Sequence, residues 1–172
     1  SFNGNKIITT GGGGMILTNN EELSIYAKHI TTTAKVSHRW AFEHDQIGFN
    51  YRLPNLNAAL GLAQLESLPS YVENKRWLAE QYHKWGSEYG LQFFKEPIDV
   101  RSNCWLNVAV TKNRQQRDDM LKTTNNSNIM TRPTWTPMHK LRMNQDCQMG
   151  DMTTTNWLFE RLVCVPSSVI QS

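Results

Sequence analysis

Lys6 stands directly ahead of a β-leaning run, Ile7-Ile8-Thr9-Thr10, and follows the small polar segment Ser1-Phe2-Asn3-Gly4-Asn5. An amine held in such a place can attack an aldehyde, provided that burial or a neighbouring cation lowers its pKa enough to leave it unprotonated. Ser1, five residues earlier, carries a hydroxyl that can hydrogen-bond a phosphate while the lysine reaches the aldehyde of the same cofactor. A lysine taken alone is ordinarily a solvated surface charge, and that reading stays open. The second candidate pair is Asn50 and Arg52, in Gly48-Phe49-Asn50-Tyr51-Arg52-Leu53-Pro54. An amide and a guanidinium suit phosphate oxygens, although an arginine here can equally pair with an exposed carboxylate.

The elements that must position these groups follow from the pattern. Four glycines, Gly11 to Gly14, separate two β-leaning segments, Lys6 to Thr10 and Met15 to Thr18. They read as a hairpin turn whose backbone needs positive φ. They are not a P-loop, which requires Gly-x4-Gly-Lys-Ser/Thr opening a helix. Thr18-Asn19-Asn20 offers an N-cap with Glu22 as capping-box partner of Asn19. Leu23, Tyr26, Ala27 and Ile30 then predict an amphipathic helix. Residues 31 to 53 form a long polar and aromatic loop, a length usually associated with function or disorder. Leu56 to Leu65 is apolar nearly all round, so this helix should be buried on more than one side, against its own core or another subunit. Pro69 suits the first turn of a second helix, Tyr71 to Tyr89, ended by Gly90. Beyond it, strands at Cys104 to Val110, Ile129 to Arg132 and Leu162 to Val165 alternate with helices at Arg114 to Lys122 and Thr155 to Arg161. This predicts a small α/β domain, with the domain boundary near Leu68 to Ser70.

Composition narrows the function. The 172 residues carry a net charge of +3 and only 19% charged side chains. There is no large single-sign field for nucleic acid or a membrane surface. No apolar run approaches the ~20 residues that a bilayer requires, and the N-terminus lacks the pattern of a signal peptide. Three widely spaced cysteines, Cys104, Cys147 and Cys164, fit neither a disulfide framework nor a zinc site; free thiols in the cytoplasm and no metal are expected. The absent initiator Met and the abrupt start suggest a piece of a longer protein.

In order and content the segments resemble one family, the pyridoxal-phosphate sugar aminotransferases of the DegT/DnrJ/EryC/StrS type. The family's Ser-Phe-x-x-x-Lys is matched by Ser1 to Lys6, and its Thr-x-Gly-x-Gly-Gly turn by Thr9 or Thr10 with the glycine run. Gly-x-Asn-x-Arg is matched by Gly48 to Arg52, and Ala-Ala-x-x-x-x-Gln-Leu by Ala58 to Leu65. Pro137-Met138-His139 and Val165-Pro166-Ser167-Ser168 match the family's late Pro-x-His and Pro-Ser-Ser elements. Asn3-Gly4-Asn5-Lys6, with Thr131 to Trp135, is similar to the branch making 4-amino sugars for legionaminic-acid or bacillosamine-type glycans. Many members carry His where Asn3 stands. Sister enzymes that dehydrate at C3 replace the lysine by histidine, so Lys6 implies transamination.

The resemblance implies an α/β fold, the C-terminal portion of a fold-type I transferase. Residues 1–68 would end the cofactor-binding large domain and 69–172 would form the small domain. It implies that Lys6 is the catalytic, Schiff-base lysine for pyridoxal phosphate. Ser1 would bind the cofactor phosphate of its own chain, and Asn50 that of a neighbouring subunit. Arg52, Arg132 and His139 would line the sugar-nucleotide site. The expected partners are a UDP-linked 4-keto-6-deoxy sugar, an amino donor such as glutamate, and a second subunit sharing the active sites. The aspartate that keeps the cofactor ring protonated lies, in the family, upstream of the lysine. The competing expectation is a non-catalytic oligomerisation or interaction module. A basic nucleic-acid binder is disfavoured by the lack of clustered Lys and Arg.

Overall fold

The computed structural model describes residues 1–170. The chain divides into two compact units, Ser1–Pro69 and a second from Ser70 onward.

In the first unit, helix α1 (Glu21–Thr31) is capped by Asn20, whose side chain accepts a hydrogen bond from Leu23 N–H at 2.9 Å. The cap is thus one residue later than the expected Asn19–Glu22 box. The expected glycine hairpin is not formed, because neither flanking segment is a strand. The loop instead closes on Phe2, which donates to Gly13 O and accepts from Thr10 N–H, both at 3.0 Å. Met15, Ile16 and Leu17 remain exposed, so the apolar character that suggested a strand has no partner strand among the described residues. The expectation of positive φ holds at Gly11 (+81°) and Gly13 (+85°).

Helix α2 (Asn55–Tyr89) runs 35 residues with Pro69 inside it, where the sequence reading placed a break. Proline there removes one ladder donor, yet the helical pattern on each side is long enough to continue through it. The expected burial of its first half is not seen within the chain: Leu56, Leu60, Leu62 and Leu65 are all exposed.

In the second unit, the later part of α2 buries Lys75, Ala79 and Gly86, spaced four and seven residues apart and so on one face. Gly86 fits because a Cβ there would come within 2.8 Å of Phe93 Cδ2. The sheet contains β1 (Gln92–Phe93), β2 (Asn107–Val110), β3 (Arg132–Pro133) and β4 (Leu162–Val165), in the antiparallel order β1-β2-β4-β3. Expected strands at 104–110 and 129–132 shorten to Asn107–Val110 and Arg132–Pro133, and β1 was not expected. Helices α3 (Arg114–Asn126) and α4 (Thr153–Phe159) complete the unit. Phe93, Ala109 and Val165 form its core, flanked by Tyr82, Leu91 and Met120.

The second unit also holds a polar clamp. Arg76 donates from Nη2 to Glu96 Oε1 at 2.7 Å and from Nη1 to Ser102 O at 2.6 Å, while Ser102 N–H donates to Glu96 Oε2 at 2.6 Å. The Arg76 hydrogen bond, followed by that from Ser102, holds the Glu96 carboxyl at about 2, against an ordinary 4.5. A depressed folded-state pKa contributes stability above the unfolded value and loses it as pH falls through the folded one. The stability advantage over Glu96→Gln should therefore be full at pH 6 and vanish towards pH 2. Urea unfolding of both chains across that range checks this; an advantage that persists at pH 2 would show that the carboxylate charge is not its source.

Candidate functional site

The glycine loop is fastened to helix α2 by side chains of one helical face. Gln64 Oε1 accepts from Thr9 N–H at 3.2 Å, and Asn57 Nδ2 donates to Thr10 O. Between them Gly61 leaves room for Thr10, since a Cβ there would lie 2.8 Å from Thr10 Cγ2. Thr10 is 2% exposed. Asn57, Gly61 and Gln64 are spaced i, i+4, i+7, so they share a face. This polar and small face, and not the leucines, packs within the unit.

The segment carrying Asn50 and Arg52 is fastened to the end of α1. Phe49 N–H donates to Ile30 O at 2.6 Å, Thr33 N–H to Phe49 O at 2.9 Å, and Tyr51 N–H to Thr31 O at 2.9 Å. Gly48 lies so close to Thr33 and Ala34 that a Cβ would meet backbone atoms of both. Thr33 and Ala34 adopt φ of 74° and 49°, a left-handed turn that costs non-glycine residues strain. Ala34 is fully buried, so packing holds the turn in place. The glycine of Gly-x-Asn-x-Arg thus has a steric reason: it lets the following residues run flush against the turn. Arg52 Nη2 reaches Thr32 O at 3.5 Å.

These two loops border a cleft of about 920 Å³ lined by Ser1, Gly11 to Gly14, Lys28, Tyr51, Arg52, Leu53 and Asn57, among others. Of the expected first-unit site residues, Ser1 and Arg52 face this cleft; Lys6 and Asn50 are not in its lining. Lys6 is half-buried in a turn in which its N–H donates to Asn3 O at 3.0 Å. In the second unit, Arg132 is exposed on edge strand β3. His139 is half-buried in the short 3₁₀ turn Met138–Lys140, with Nε2 3.1 Å from Asn156 Oδ1. It lines a separate cavity of about 590 Å³ with Met138, Cys147, Met149 and Met152.

The donor set at the first cleft suits an anion. It combines a serine hydroxyl, two cationic side chains and a glycine-rich wall whose backbone approaches without side chains. The sequence reading missed Lys28, Asn57, Gly61 and Gln64. The Gln64-Leu65 match was the one signal that pointed to this face. Among the described residues, no group of three or more His, Cys, Asp or Glu side chains is placed to hold a metal, and no helix is long and apolar enough to cross a membrane. Cys104, Cys147 and Cys164 are free thiols.

Comparison with known proteins gives this arrangement its context. EpsN of Bacillus subtilis (strain 168) is 36% identical over 172 residues, covering 97% of this chain and 44% of that protein. The GDP-perosamine synthase of Escherichia coli O157:H7 is 38% identical over 143 residues, covering 83% of this chain and 39% of that enzyme. The chain therefore spans less than half the length of these curated relatives. The Helicobacter pylori aminotransferase PseC, involved in the biosynthesis of pseudoaminic acid, superposes with a TM-score of 0.91 at 20% identity, over all of this chain and 48% of that one. The fold is thus the C-terminal portion of a fold-type I sugar aminotransferase. Residues 1–170 match the sequence model of the DegT/DnrJ/EryC1/StrS aminotransferases, and the chain belongs to that pyridoxal-phosphate-dependent family.

Proposed function

We propose that this chain is the C-terminal portion of an aminotransferase that moves an amino group from glutamate to a UDP-linked 4-keto-6-deoxy sugar for surface-glycan synthesis. The observation that carries the reading is the cleft in which the Ser1 hydroxyl and the Arg52 guanidinium, suited to phosphate oxygens, stand beside a glycine wall that carries no side chains, within a chain of this family. In this reading residues 1–68 end the cofactor-binding domain and 69–172 form the small domain, a division supported by the two compact units. Free thiols are in keeping with a reducing cytoplasm.

In this reading Ser1, Lys6 and Asn50 are the residues of this chain that would meet pyridoxal phosphate, which would supply an electron sink at the carbon exchanging its amino group. Ser1 would hold the phosphate through its hydroxyl, and Asn50 would do so from the partner subunit. Lys6 would hold the cofactor, and its amine would carry a proton to and from the reacting carbon. Arg52, Arg132 and His139 orient the sugar nucleotide. The exposed leucines of α2, 46% to 86% exposed, form part of a homodimer surface, which gives these apolar side chains somewhere to be buried.

A second reading, a GDP-linked sugar, is favoured by the perosamine synthase relative. Incubating the full-length enzyme with glutamate and each 4-keto-6-deoxy sugar nucleotide tests both. The UDP substrate should yield 2-oxoglutarate and a 4-amino sugar by mass. Turnover of the GDP substrate alone would establish the second reading, and turnover of neither would overturn both.

A further inference from the structure

Trp135 is 68% exposed, yet its ring is not left to itself. It stacks on half-buried Trp105, with centroids 6.1 Å apart and planes 27° from parallel. Trp105 is in turn fixed at both ends of its peptide unit. Its N–H donates to Asn103 Oδ1 at 3.1 Å, and its carbonyl accepts from the Nζ of buried Lys75 at 3.2 Å. Lys75 also donates to Ser167 O, and the Ser167 hydroxyl accepts from Asn107 N–H at 2.8 Å. A network running from α2 to the Pro-Ser-Ser segment therefore holds the backbone from which the supporting indole projects.

With one face of Trp135 covered by Trp105 and two thirds of the residue exposed, its other face is open. Three other exposed tryptophans have different ring partners. Trp157 carries the Arg161 guanidinium 4.4 Å from its centroid, and Trp85 is engaged by Tyr89 and Phe93. Trp40 meets His38 edge-on. Trp135 also follows edge strand β3 by two residues, so a cation, Arg132, lies in the same short segment.

Building on the nucleotide-sugar reading above, we propose that Trp135, backed by Trp105, is the platform on which the base of the sugar nucleotide stacks. A held, open indole face loses little entropy on binding. The Trp105–Trp135 pair is already a π stack, which a planar base extends in the same geometry. A hexose would instead need hydrogen-bonding groups around its rim. Arg132 then suits the adjoining diphosphate. Because every base has a π face, the platform supplies affinity without choosing between uracil and guanine.

The test is calorimetric titration of the full-length enzyme with UDP, GDP and inorganic pyrophosphate. Trp135→Ala should weaken UDP and GDP binding roughly ten- to hundredfold, the scale of one stacked base, and leave pyrophosphate binding unchanged. Trp135→Phe should keep most of the affinity while losing the nucleotide-induced quench of tryptophan fluorescence. If Trp135→Ala binds UDP and GDP as wild type does, or loses pyrophosphate to the same extent, the platform is overturned while nucleotide recognition stands. If the wild-type enzyme binds neither nucleotide, the nucleotide-sugar reading itself falls and the platform falls with it.

Discussion

Lys6→Ala in the full-length enzyme should abolish amino transfer, by about a hundred- to ten-thousandfold for the proton transfers alone, with further loss from the missing covalent anchor. Binding of the nucleotide should survive, because no nucleotide contact is assigned to Lys6. Borohydride reduction of the wild-type enzyme with bound cofactor, followed by peptide mapping, should place the phosphopyridoxyl mass on Lys6. The structure makes this a sharp choice between amines. Lys28 lines the cleft that Ser1 and Arg52 border, whereas Lys6 sits in the turn beside Asn3. A label on Lys28 or Lys35 would refute the assignment of Lys6.

The second large effect concerns the Gly48 to Arg52 segment. Asn50→Ala/Arg52→Ala should lower activity ten- to hundredfold, the loss expected for a charge-assisted phosphate contact of about 1.5–3 kcal/mol. Its fold should survive, because the segment is held to α1 by backbone hydrogen bonds that neither truncation removes. If each active site combines Lys6 of one subunit with Asn50 of the other, this chain and Lys6→Ala should complement each other. The mixed dimer would then contain one site with every lesion and one with none. Activity should reappear on mixing, up to one working site per heterodimer. Subunit exchange confirmed by mass with no return of activity would mean that the segment serves its own chain.

Much of this was legible because chemistry-bearing residues came in a specific order. Lys6, the glycine run, Asn50-Tyr51-Arg52 and Gln64-Leu65 are individually weak, but their succession pointed to one family. Strand β4 was readable to the residue, since Leu162 to Val165 is a continuous apolar run closed by Pro166. The strands expected around the glycines failed because β-leaning composition needs a partner, and none pairs with them here. Helix α2 was split at Pro69 because proline suits a helix's first turn and so read as the start of a second helix, whereas the flanking turns carry one helix past it. The fastening of Thr9 by Gln64 spans 55 residues. Gln64 entered only as part of the Ala58 to Leu65 match and Asn57 drew no reading, because the leucines and alanines dominate this stretch and pointed to apolar burial.

Edge strand β3 ends in Pro133, paired with Val163 of β4. Proline has no N–H, so at this position the sheet margin has no donor to offer a strand from another molecule. The opposite margin, β1, is only two residues long. A four-stranded sheet with such short margins gives little template for intermolecular β-pairing. A proline in one margin and a two-residue strand at the other leave this sheet few groups with which to extend onto a second molecule.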